Sequence, residues 1–212
     1  MGTLIWTDGF ESYAVGITPA PWVNKDNSQV VTTQPHTGTK STAAGIGGNT
    51  TTVSRPFGSN QSQWYADFWM WTNPVGATNL VQYVSFSSSS SAATNAPCVA
   101  VDGVGAGRVG LSASGTTWFT FTTTASTWHN YVFEVLSGAA GTAKLTVDGV
   151  VVGTFSGDTR DSSSNAFVSN VWIVGSVIGP SPPAAFYVDD ISIFSGVTVV
   201  AGGAQARAMV LA

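Results

Sequence analysis

Apolar and polar residues alternate with a period of two along most of the chain, in short runs that end at Gly, Asn, Ser or Pro. The pattern predicts strands over Trp64–Trp71, Leu80–Phe86, Val99–Asp102, Arg108–Ala113, Thr117–Thr122, Asn130–Leu136, Ala143–Val147, Val150–Phe155, Val168–Gly175 and Ala185–Phe194. Ile5–Phe10 and Gln29–Thr33 are weaker segments. So many short strands in 212 residues predict an all-β chain, a two-sheet antiparallel β-sandwich of the jelly-roll kind. Lys144–Val147 and Val150–Gly153 flank Asp148-Gly149, the residue pair preferred in a two-residue type I′ hairpin turn.

The alternation also assigns faces. Trp64, Phe68 and Met70 share one face of their strand, and Tyr65, Asp67, Trp69 and Trp71 share the other. Both faces are apolar, which predicts a central strand covered on each side. In Thr117–Thr122, Phe119 and Phe121 lie together, whereas Trp118 falls with Thr120 and Thr122 on a polar face. Trp118 is therefore the candidate exposed aromatic for stacking on a sugar ring.

Composition narrows the classes. Charged residues make up 8% of the chain, against about 25% in an ordinary globular protein. The polar surface must come from Ser and Thr. With Glu, Lys, Leu and Arg scarce, a helical bundle is excluded. The net charge is −4, and the seven Lys and Arg are scattered, so nucleic acid is not an expected partner. No apolar run approaches the ~20 residues of a membrane helix. The single cysteine, Cys98, reads as a small buried hydrophobe. The first residues, Met1-Gly2-Thr3-Leu4-Ile5-Trp6, have neither a basic region nor a long apolar run, so the expectation is a protein made in a cytoplasm without a signal peptide.

Residues 195–212 contain one charge, Arg207, among many Ala, Val and Gly. An apolar tail beyond the sandwich has to pack on something. This divides the chain into a sandwich domain, 1–194, and a tail, 195–212, with Val199, Val200, Met209, Val210 and Leu211 as interface candidates. Packing on the same domain and packing on a neighbouring subunit both stay open.

Three short motifs resemble a known family. They are Asp8-Gly9-Phe10-Glu11-Ser12-Tyr13 followed by Pro19-Ala20-Pro21-Trp22, then Trp128-His129-Asn130-Tyr131-Val132-Phe133 before Leu145–Gly149, then Phe186-Tyr187-Val188-Asp189-Asp190-Ile191-Ser192-Ile193. Together they resemble the concanavalin A-like (laminin-G-like) jelly rolls and the related carbohydrate-binding modules. The resemblance implies that the first and last strands lie side by side, with Phe10-Glu11 near Asp189-Asp190. It also implies the settings in which such domains occur, bacterial surface proteins and bacteriophage virions.

Glycoside hydrolysis needs two carboxylates flanking one bond. The chain has two glutamates, Glu11 and Glu134, and neither begins the Glu-x-Asp-x-x-Glu strand of the glucanases that share the resembled fold. Asp189 and Asp190 are adjacent on a strand, so alternation sends them to opposite faces. No Gly-x-Ser-x-Gly elbow occurs, and His36 and His129 have no metal-ligand spacing. No enzymatic activity is expected. Modules of the resembled family often hold a structural calcium between first and last strands, which points to Asp8, Glu11 and Asp190 as oxygen ligands. The alternative is that Asp8 sits in a turn with Gly9 while Glu11 or Asp190 accepts backbone or hydroxyl hydrogen bonds. No cofactor is required.

The function expected first is that of a structural virion protein of a bacteriophage, binding major capsid or other virion proteins as a homo-oligomer. The alternative is a lectin-like module that adheres to host-surface glycans.

Overall fold

A computed structural model describes residues 2–17, 19–24, 28–44, 51–72, 80–88, 96–111, 116–161, 163–177 and 186–196. The interface candidates Val199, Val200, Met209, Val210 and Leu211 lie outside these residues. The strands follow in chain order: β1 (Thr3–Asp8), β2 (Gly16–Ile17), β3 (Val23–Asn24), β4 (Gln29–Val31), β5 (Ser41–Ala44), β6 (Thr51–Gln61), β7 (Gln63–Trp71) and β8 (Leu80–Ser87). Then come β9 (Pro97–Val101), β10 (Ala106–Leu111), β11 (Thr117–Thr122), β12 (Trp128–Leu136), β13 (Gly141–Val147), β14 (Val150–Gly157), β15 (Val168–Val177) and β16 (Phe186–Ser195).

Two antiparallel sheets form the expected sandwich. One runs β14-β13-β12-β7-β16-β5-β4-β2, with β1 also paired to β16; the other runs β11-β10-β9-β8-β15-β6-β3. The hydrophobic core lies between them. Trp64, Phe68 and Met70 of β7, Phe133 of β12 and Ile191 and Ile193 of β16 are fully buried with Val84 and Phe86 of β8 and Val171 and Ile173 of β15. The Trp64 and Phe86 rings, one from each sheet, lie 4.4 Å apart. Each such side chain contributes roughly 1.5–3 kcal/mol through the apolar surface it removes from water.

The Asp148-Gly149 turn has both φ angles positive, 49° and 82°, and joins Val147 to Val150 as its residue types require. Burial pushes the Cys98 thiol up to about 12. The first and last strands are neighbours, with Asp8 opposite Ile191. Strands β5 and β6 escape the alternation. β5 is a run of small residues, Ser-Thr-Ala-Ala, buried throughout. β6 contains Pro56 and Gly58, residues that argue against a strand, and its pairing with β15 is correspondingly irregular.

Candidate functional site

The site is built on β7, which lies between β12 and β16 in the middle of the nine-stranded sheet. Its inward residues are fully buried. Its outward residues, Tyr65, Asp67, Trp69 and Trp71, are only half-buried. Coverage on both sides is therefore corrected: the outer aromatics lean sideways on one another. Trp71 has Trp128 and Tyr187 as its cross-strand neighbours, with the Tyr187 ring 5.3 Å away, edge-on. Tyr65 stacks on Phe194 at 4.3 Å. His36, from the segment between β4 and β5, lies flat on Trp69 at 3.7 Å, with Trp128 edge-on at 5.5 Å. The result is a patch of half-buried rings interspersed with Asp67, Ser192, Glu134 and Lys144.

A bulge in β16 sets the patch geometry. Asp189 pairs with Trp69 and Ser192 with Asp67, so Asp190 and Ile191 together oppose one residue, Phe68. Asp190 takes a positive φ of 47°. The extra residue breaks the alternation. Asp189 and Asp190, expected on opposite faces, both reach the 36–37 segment. Asp189 accepts hydrogen bonds from the backbone N–H of His36 (2.9 Å), Thr37 (3.4 Å) and Asp190 (2.9 Å). Asp190 sits 2.7 Å from Nδ1 of His36 and accepts from the Thr37 hydroxyl at 2.9 Å. Burial, with the nearby charge of Asp190, raises the Asp189 carboxyl to about 7 against the pull of the His36 and Thr37 N–H groups.

Asp8, Glu11 and Asp190 come to the same end of the sheet, as the resemblance implies, but each is engaged by protein donors. Asp8 accepts from the Phe10 N–H (2.9 Å), the Tyr13 hydroxyl (2.6 Å), the Trp22 indole (2.8 Å) and Nη1 of Arg55 (2.6 Å). Arg55 comes from β6 in the opposite sheet and stacks on Trp6 at 4.1 Å, so this pair ties the two sheets together. Burial, then the bond to Asp8, raises the Tyr13 hydroxyl to about 12. Glu11 accepts from the N–H groups of Thr39 and Lys40 and from the Thr39 hydroxyl. Those N–H groups hold its carboxyl below the usual range. Among the described residues no three His, Cys, Asp or Glu side chains gather as a metal site.

Trp118 does not stand on an open polar face. In β11 the pairing with β10 shifts at this residue, between Val109↔Phe119 and Gly110↔Thr117. The bulge turns Trp118 across the sandwich edge, where it stacks on Phe155 of β14 at 4.9 Å with planes 4° apart. Beside it Phe119 packs where a Cβ on Gly153 would fall, 2.3 Å from the ring. His129 is 2.6 Å from Asp148 and anchors the hairpin. Alternation puts Trp69 and Trp71 on one face, and two apolar faces predict a covered strand, but both rings are half-buried. The signal that separates an outer aromatic face from a covered one is the mixture of Asp67 with the rings.

No family model matches the chain, and no curated protein matches it. Solved structures do match in shape. Botulinum neurotoxin type C, whose cell entry depends on interaction with two ganglioside molecules, aligns with TM-score 0.61 and 11% identity, over 92% of this chain and 49% of that one. Cip1, a cellulose-induced protein, aligns with TM-score 0.61 and 16% identity, over 90% and 97%. The endo-β-1,4-glucuronan lyase of the fungus Trichoderma reesei aligns with TM-score 0.58 and 12% identity, over 92% and 96%. The chain spans about half the length of the neurotoxin structures it matches. At these identities the likeness is one of fold. The chain is an antiparallel jelly-roll β-sandwich of the architecture these proteins share.

Proposed function

We propose that this chain is a non-catalytic carbohydrate-binding module that holds a glycan across the outer face of its nine-stranded sheet. The observation that carries the reading is the patch of half-buried rings, Trp69, Trp71, Trp128 and Tyr187, set among Asp67, Ser192 and Glu134. Sugar rings offer apolar C–H faces to aromatic planes and hydroxyls to polar neighbours, and binding sites combine those two surfaces. That two of the solved neighbours are named for a ganglioside interaction and a glucuronan lyase favours the same reading. Absence of catalysis rests on the engagement of the acids: Asp189 is enclosed by backbone N–H groups, Asp190 by His36 and Thr37, and Glu134 by Lys144 at 2.5 Å. The test is a glycan array probed with the wild-type chain and Trp71→Ala. Retention by the wild type and loss in the variant supports the reading. Retention unchanged in a folded variant moves the site elsewhere.

A structural role in a bacteriophage particle, assembled with copies of itself and with capsid or tail subunits after synthesis in the host cytoplasm, is the second reading. The feature that favours it is the edge strand β14, which ends its sheet and exposes Val150 and Val151 by 66% and 54%. An uncharged exposed edge invites another strand. Solution mass of the wild type and of Val151→Lys tests it: an oligomer that falls to monomer supports assembly through this edge, and a wild-type monomer removes it.

A further inference from the structure

We infer that the glycan taken by the outer face is uncharged, and that the face rejects uronates and sialylated sugars. This rests on the carbohydrate-binding reading and adds the ligand class to it. Asp67 stands on β7 beside Trp69, Glu134 on β12, and Asp189 and Asp190 on β16. Among the described residues, the two groups there that can carry positive charge are each beside a carboxylate. Lys144 Nζ is 2.5 Å from Glu134, and His36 Nδ1 is 2.7 Å from Asp190.

The neighbouring cations are committed as well. Lys40 donates to the carbonyls of Glu11 and Tyr13, and Arg55 to Asp8. Arg108 lies on β10 of the other sheet, and Arg160 pairs with Asp158. A sugar carboxylate laid on the rings would face Asp67 with no unclaimed cation to receive it among the described residues. It would lose water and gain repulsion. A neutral sugar meets the same carboxylates differently, because its hydroxyls donate to acceptors that have no proton to give. Carboxylates thus serve as anchors for a neutral glycan and as a barrier to an acidic one.

The experiment pairs ligands that differ only in charge. An array of neutral cello-, xylo-, manno- and galacto-oligosaccharides, with acidic glucuronan, galacturonan and sialylated glycans, identifies what is retained. The retained oligosaccharide and its counterpart oxidised or reduced at the carboxyl-bearing carbon are then titrated at pH 7.5 in low salt and in 0.5 M NaCl. The expected result is at least tenfold weaker binding of the acidic member at low salt, with the gap narrowing in high salt as the repulsion is screened. Glu134→Gln leaves Lys144 without its partner and should narrow the gap between the acidic and the neutral member several-fold. Equal or tighter binding of the acidic member overturns the inference and leaves the carbohydrate-binding reading standing. No retention of any glycan, neutral or acidic, overturns both.

Discussion

His36 lies flat on Trp69, with ring centroids 3.7 Å apart and planes 16° from parallel. The contact depends on a third strand far along the chain. The bulge of β16 turns Asp189 and Asp190 toward the same segment, and their carboxylates hold the backbone and side chains of His36 and Thr37 above β7. Glu11 holds the same segment from the other side through Thr39 and Lys40. Three carboxylates thus fasten one edge of the aromatic patch.

Trp71→Ala is expected to abolish retention on a glycan array with the fold intact. Its ring is half-buried on the outer face, so the loss is of contact area for ligand more than of core. Near-ultraviolet circular dichroism and thermal denaturation establish the fold, and the array reads the function.

Trp118→Ala should do the reverse. Removing the ring that covers Phe155 is expected to cost about 2 kcal/mol, roughly 4–8 °C in Tm for a chain of this length, with glycan retention unchanged. A neutral effect on Tm would mean that the stacked pair does not close the sandwich edge.

Asp8→Ala strips the part-buried Arg55 of its nearly buried carboxylate partner. Breaking such a pair from one side costs roughly 3–5 kcal/mol, so expression of folded protein should fall steeply. A chelator should leave the wild-type Tm unchanged, because Arg55, Tyr13 and Trp22 already supply the partners of Asp8. A fall of several degrees would restore calcium at this end of the sheet.

The Asp189 carboxyl is raised from its ordinary 3.8 to about 7, chiefly by burial. A group whose folded value lies above its unfolded one binds more protons in the folded state between the two. Its stabilising contribution is complete below about pH 4 and is lost as the pH rises to about 7. Asp189→Asn should flatten that part of the stability curve, measured by urea denaturation at pH 4, 5.5 and 7.

Much of the fold is legible in the chain itself, because strand alternation and turn chemistry are local. The β7 faces, the Asp148-Gly149 hairpin and the strands from β7 to β16 follow from residue types a few positions apart. β5 and β6 were not legible, since small residues and a Pro-Gly pair carry no period-2 signal. The site was half legible: Trp69 and Trp71 fall on one face by alternation, but whether another layer covers that face is a matter of how sheets stack. Trp118 and Asp190 leave the faces that alternation gives them for one reason. Each sits at a bulge, where a single extra residue reverses the alternation, and only the partner strand's register reveals it. Alternation, turn residues and the scarcity of charge were enough for an all-β sandwich, while the adjacency of its first and last strands came only as what the resemblance implies. Which rings face outward and which donors each carboxylate meets was settled only in three dimensions, because those contacts cross between strands and the pair that holds His36 joins residues more than a hundred and fifty positions apart.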